Sequence, residues 1–157
     1  MMGPIGATID CCRKWREWSG RGSRQEFWWF QLTTLVIVLL VFGLEAAVFG
    51  HSIYDETYRF LPLTHPVGIF LTVALATAGA RRLQDAGFPG WPALVVGGIC
   101  LSLIAWDIAR IGQPIQDGLH SLEIVFLVLA VLLLIAALLP SRPGPNKYGP
   151  NPHEVTP

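Results

Sequence analysis

From Phe27 to Phe49 the chain holds a single ionisable side chain, Glu45, and this run constrains the fold more than any other feature. At 1.5 Å per residue, a helix of this length crosses a ~30 Å hydrocarbon core. Three further apolar runs follow, at residues 62–80, 91–109 and 122–139. Hydrophobic residues make up 52% of the chain and charged residues 14%, against about a quarter charged in a soluble domain. The expected class is therefore all-α, an integral membrane four-helix bundle. Residues 1–22 form an N-terminal segment, 23–139 the membrane domain with its first span at 27–49, and 140–157 a Pro/Gly-rich tail.

The placement of charge sets the orientation. Lys and Arg number five in residues 1–26, two between the second and third runs (Arg81, Arg82) and two in the tail, against Arg59 and Arg110 alone in the other two loops. Nine against two places both termini and the 80–92 stretch in the cytoplasm. Acids divide five inside and six outside, so the net charge of +0 conceals about +4 inside and −4 outside. Residues 1–26 contain no apolar run, so no cleaved signal peptide is expected and insertion begins with the first span.

Residues 8–18 project Cys11, Cys12, Trp15 and Trp18 onto one side of a helix and Asp10, Arg13, Lys14, Arg16 and Glu17 onto the other, which suits an amphipathic helix lying on an anionic leaflet. Gly20-Arg21-Gly22 breaks it. Ser23 and Glu26 then have the spacing of a capping box, and Phe27 to Phe30 read as an interfacial aromatic belt. Glu45 lies about one turn before the end of its run, where it can snorkel outward or serve as a functional intramembrane acid. Pro62 and Pro66 delay regular helix in the second span to about residue 66. Gly68 and the alanines at 74, 76, 78 and 80 give that span small faces for close helix packing. Gly97-Gly98 marks a close contact or bend in the third, and Asp107 and Arg110 are spaced to pair across one turn. The three cysteines make no disulfide framework and are expected to be small packing residues.

The least interchangeable text is Ala80 to Pro92, ARRLQDAGFPGWP. Gly87 is expected to supply a positive-φ helix C-cap and Gly90 the turn after Pro89, with Trp91 as an interfacial anchor. The topology gathers this stretch, GRGSRQEFWW and GPNKYGPNP on the cytoplasmic side. One reading of Arg81 and Arg82 is a bare topology signal that snorkels to lipid phosphates. The other is a constructed site in which Arg21, Arg24, Arg81 and Arg82 receive an anionic headgroup or an acidic partner segment, oriented by Glu26 and Asp85 and bordered by Trp91, Asn146 and Tyr148.

These segments carry a resemblance. Gly20-Arg21, Ser23-Arg24 and Glu26-Phe27-Trp28, then Arg81-Arg82-Leu83, Asp85, Gly87 and Gly90-Trp91, then Gly144, Asn146, Tyr148-Gly149 and Pro152 resemble, in order, the motifs of the bacterial inner-membrane proteins grouped as domain of unknown function 805 (YhaH-like). The chain departs from that pattern at Gln84, where the family usually has His, and at Asn151, where it usually has Asp. The resemblance implies a bacterial inner-membrane location and a multi-span architecture, and no established activity.

No nucleophile elbow, zinc-protease motif or phosphate loop is present. His51, His65 and His120 stand with acids on the outer side but lack metal-site spacing, so neither metal nor cofactor is expected. Nor is a nucleic-acid partner. The expected function is non-enzymatic: an accessory or assembly subunit that binds membrane lipids through anionic headgroups, or a membrane-protein partner or second copy. A small transporter or channel subunit using Glu45 and Asp107 is the alternative, and an interfacial lipid-modifying enzyme with Asp85 or Glu26 as base is a third reading.

Overall fold

The computed structural model describes residues 3–49, 62–109, 130–131, 134–135 and 137–151, the side chain of Asp107 excepted. Within them the chain is all-helical: α1 spans Pro4–Arg13, α2 Arg24–Phe49, α3 Thr64–Asp85 and α4 Trp91–Ala109. Residues 130–131, 134–135 and 137–138 are helical as well. Among the described residues α2 alone is long and apolar enough to cross a membrane, and a shorter apolar stretch covers Trp91–Trp106. The expected Asp107–Arg110 pair, His51, His120, the 51–59 loop and most of the 122–139 run lie outside the described residues.

The N-terminal helix forms earlier than its periodicity suggests. Pro4 opens α1 at a position that needs no backbone N–H, and the helix ends at Arg13 rather than continuing to Trp18. Residues 14–17 form a turn in which the Lys14 carbonyl accepts from the Glu17 N–H at 2.9 Å, and the Lys14 and Glu17 carbonyls both also accept from the Arg81 guanidinium. Cys11 and Ala7 are buried. Cys11 joins Phe27, Phe30, Ala74, Ala78 and Ala137 in one core cluster, with Cys12, Trp15 and Trp28 packed against it.

Helix α2 starts as its cap implies, with Ser23 Oγ accepting from the Glu26 N–H at 3.0 Å. The expected aromatic belt divides. Phe27 and Phe30 are core residues, while Trp28 and Trp29 are half-buried.

Helix α3 is regular from Thr64, ahead of the expected start, because its N-terminus has an acceptor from another helix. Leu63, at the N-cap position, makes no side-chain cap. Instead the Glu45 carboxylate accepts from the Leu63 N–H at 2.8 Å, the Thr64 N–H at 3.1 Å and the Thr64 hydroxyl. Glu45 is fully buried, so it does not snorkel: it neutralises the donor-rich end of α3 from within the bundle.

At the other end α3 continues through Asp85, so Arg81 to Asp85 belong to its last turn and only Ala86 to Gly90 form the turn into α4. Gly87 has φ +90, its N–H reaches the Gln84 carbonyl and the Phe88 N–H reaches the Leu83 carbonyl, the paired bonds of a Schellman stop. Gly90 is needed for space rather than for a positive φ: a Cβ there would lie 2.6 Å from Gln84 Nε2 and 3.0 Å from the Ala80 Cβ. Further along, a Cβ on Gly97 would lie 2.5 Å from that of Ala76. The small residues of α3 and α4 thus let their backbones close together.

Candidate functional site

The last turn of α3 carries four buried polar side chains, Arg81, Arg82, Gln84 and Asp85. Arg81 and Gln84 are taken up by the α1–α2 loop, Arg82 by residues 137–139, and Asp85 by both the loop and the tail. A helical turn that is polar on successive faces can be buried only if several segments wrap it with complementary groups, and residues 14–22 and 137–146 do so.

Asp85 is the centre. Its Oδ1 accepts from Arg21 Nε at 2.8 Å, and its Oδ2 from Arg82 Nη1 at 2.8 Å and from the Ser141 hydroxyl. Arg21 also donates to the tail, from Nη1 to the Gly144 carbonyl at 2.7 Å and from Nη2 to the Arg142 carbonyl at 2.6 Å. The tail returns one backbone bond, Arg142 N–H to the Asp85 carbonyl at 2.9 Å. Arg82, fully buried, gives Nε to the Ala137 carbonyl at 3.0 Å and Nη2 to the Leu139 carbonyl. These are acceptors at the end of a helical stretch, where carbonyls lack helical partners and a cation is favoured. The planar guanidinium suits such forked use, which an ammonium cannot reproduce.

Arg81 faces the other way. Its Nη1 reaches the Lys14 carbonyl at 2.9 Å and the Glu17 carbonyl at 2.8 Å, and its Nη2 lies 3.7 Å from Glu26 Oε1. Cys11 Sγ sits between Glu26 and Arg81. Burial, followed by the Glu26 carboxylate, pushes the Cys11 thiol up to about 12 against the opposing pull of Arg81. The thiol therefore stays protonated and is a packing group, not a nucleophile.

Gln84 bridges two points of the α1–α2 loop, its Nε2 donating to the Trp18 carbonyl at 3.0 Å and its Oε1 accepting from the Gly20 N–H at 2.9 Å. Its backbone carbonyl takes the Asn146 side-chain amide at 3.0 Å. An imidazole has one ring N–H and one acceptor nitrogen when neutral, so it can offer the same pair of functions, with different reach. The bridge is thus a departure in geometry more than in chemistry.

Of the residues singled out in the sequence, the structure joins Arg21, Arg82 and Asp85 into one network and Arg81 with Glu26 into a second beside it, while Asn146 ties the tail to the Gln84 carbonyl. Arg21, not Arg24, is the partner of Asp85. Arg24 is exposed at the start of α2 and Trp91 is 63% exposed. Tyr148 is half-buried beneath Lys147, whose Nζ lies 4.9 Å from the ring centre. Gly87 and Gly90 hold the turn that presents the network. Sequence reasoning missed Gln84 and Ser141 as connectors. The signal for Gln84 was its place in the same polar helical turn, three residues after Arg81. Among the described residues no group of His, Cys, Asp and Glu is placed to hold a metal ion.

The model of a family described as protein of unknown function (DUF805) matches residues 15–150. No curated protein and no solved structure matches the chain.

Proposed function

The chain belongs to the DUF805 family, and on that premise we propose that it is a non-enzymatic, four-span protein of the bacterial inner membrane with both termini in the cytoplasm. In this reading it is an accessory or assembly subunit whose cytoplasmic face docks a partner protein or acidic lipid. The membrane part is supported by α2, which is apolar throughout its spanning stretch yet has only 11% of that stretch buried inside the protein. Leu35, Leu39, Leu40 and Leu44 all point outward, a reversal of soluble packing that lipid would cover. The shared orientation of the ends is supported by residues 14–22 and 137–146 meeting on one turn of α3.

One observation carries the non-enzymatic reading: the motif residues satisfy one another. Asp85 is fully buried with both oxygens engaged, so as a base it has no approach to a substrate. Glu45 is likewise committed to the N-terminus of α3, which favours a structural role over an ion path. The face that remains open bears Arg24, Arg142 and Lys147, all exposed.

The test combines topology with retention. The full chain should fractionate with membranes, and reporters fused at either terminus should both signal cytoplasm. Purified in mild detergent, it should keep a stoichiometric partner or acidic lipid that is lost when Arg142 and Lys147 are both changed to Glu. A terminal reporter on the outside overturns the topology. Retention that ignores the double substitution overturns the docking face.

A further inference from the structure

We propose that the groove between the α1–α2 loop and the α3/α4 pair seats one acidic phospholipid of the bilayer, with its phosphate at Arg16 and an acyl chain along the Gly97–Gly98 face. This rests on the membrane reading above and moves the lipid contact away from the buried arginines, which the chain's own carboxylates and carbonyls already hold. The groove has a volume of about 420 Å³, within the ordinary range for a small-molecule site.

Its shape comes from small residues. Gly97 meets Ala76 closely, so the two helices touch, while a Cβ on Gly98 would meet nothing within 4 Å. The floor is therefore open over Gly98 and closed beneath it. Leu94 and Leu101 continue the wall along α4, and Trp15 and Trp18 overhang from the loop. The Thr77 hydroxyl on the α3 wall donates to the Ala74 carbonyl at 2.9 Å, so its proton is not offered to an occupant.

Charge lies at one end only. The exposed Arg16 guanidinium sits 4.3 Å over the Trp15 ring, and Trp18 is 64% exposed. Arg13, Lys14 and Arg16 face one acid, Glu17, within five residues. A cationic, indole-bordered mouth on an apolar trough matches the two ends of an acidic phospholipid. A peptide would leave its backbone N–H and C=O groups unpaired against these walls.

Native mass spectrometry of the detergent-purified full chain, titrated with phosphatidylglycerol or phosphatidylcholine, tests this. One phosphatidylglycerol should bind in preference to phosphatidylcholine. Arg16→Ala should weaken it about fivefold, the effect of one interfacial cation. Gly98→Leu, which fills the open floor, should remove it, and Leu101→Trp should repeat that block from the α4 wall if Gly98→Leu melts early. Leu39→Ala, on the exposed face of α2 and outside the groove, should bind as the wild type does. Equal retention of both lipids, undiminished binding by the two filled-groove variants, or a lipid-free dimer that Gly98→Leu dissociates would each overturn the site. Recovery of the chain in the soluble fraction without detergent would instead overturn the membrane reading on which it rests.

Discussion

At its N-terminal end α3 offers unpaired backbone donors and receives one carboxylate, that of Glu45. At its C-terminal end it offers two guanidinium groups, an amide and a carboxylate, and receives the α1–α2 loop, the tail and the end of a further helical stretch. The first fastening is a cap that joins two helices. The second joins parts of the chain separated by as many as 123 residues, as between Arg21 and Gly144. The difference is one of dependence: at the N-terminal end an acceptor serves donors that any helix start exposes, whereas at the C-terminal end each buried charge relies on groups brought from elsewhere.

That contrast predicts unequal costs. Asp85→Ala strands Arg21 and Arg82 in a buried site and should cost about 3–5 kcal/mol, the usual penalty for breaking a buried pair from one side. Denaturant or thermal unfolding of the detergent-solubilised chain reads it directly. A loss below about 1 kcal/mol, the scale of an exposed pair, would mean the network relaxes to solvent and the two ends are alike. Glu45→Gln keeps an acceptor for only one of the Leu63 and Thr64 N–H groups, turns an amide donor toward the other and removes the charge, so it should cost about 1–3 kcal/mol. A larger loss than that of Asp85→Ala would reverse the comparison.

The smallest effect is confined to the C-terminal end and appears only in alkali. The Cys11 thiol keeps its proton to about 12 in the folded chain, while its ordinary value is 9.0. The unfolded chain therefore loses this proton first, and stability falls as pH rises from about 9 towards 12. Below 9 both states hold the proton and the contribution is constant. Cys11→Ala should flatten the decline in melting temperature between about pH 8.5 and pH 10. Equal slopes for variant and wild type would show that Cys11 is not held against Glu26 and Arg81 as described.

Several of these features are readable from residue types alone. The Ser23 cap and the Gly87 stop depend on local rules, a hydroxyl three residues before a glutamate and a glycine just past a basic helix end, and both stand where those rules place them. The ion pair between Arg21 and Asp85 follows from bringing opposite charges to one end of the bundle. What could not be read is what the arginines bind. Their acceptors are mostly backbone carbonyls, which every residue carries, so no side-chain pattern marks Lys14, Glu17, Ala137, Leu139, Arg142 or Gly144 as partners. Glu45 was obscured for a related reason: its partners are N–H groups at Leu63 and Thr64, on another helix and beside prolines that obscure the start of α3. Gly90 shows a third limit, since its role is set by the distance to Ala80 and Gln84 rather than by its own backbone angles.

The remote acceptors of Arg82 have a consequence for biogenesis. Leu139 is made 57 residues after the guanidinium that it receives, an interval of roughly 3–11 s at ordinary translation rates. Until then Asp85 has Arg21 and Arg82 as partners, but Arg82 lacks its carbonyl acceptors and Arg21 its tail carbonyls. Residues 137–144 therefore complete this end of the molecule only after α3 has been made, and a chain truncated before Ala137 would lack the carbonyls that Arg82 and Arg21 use.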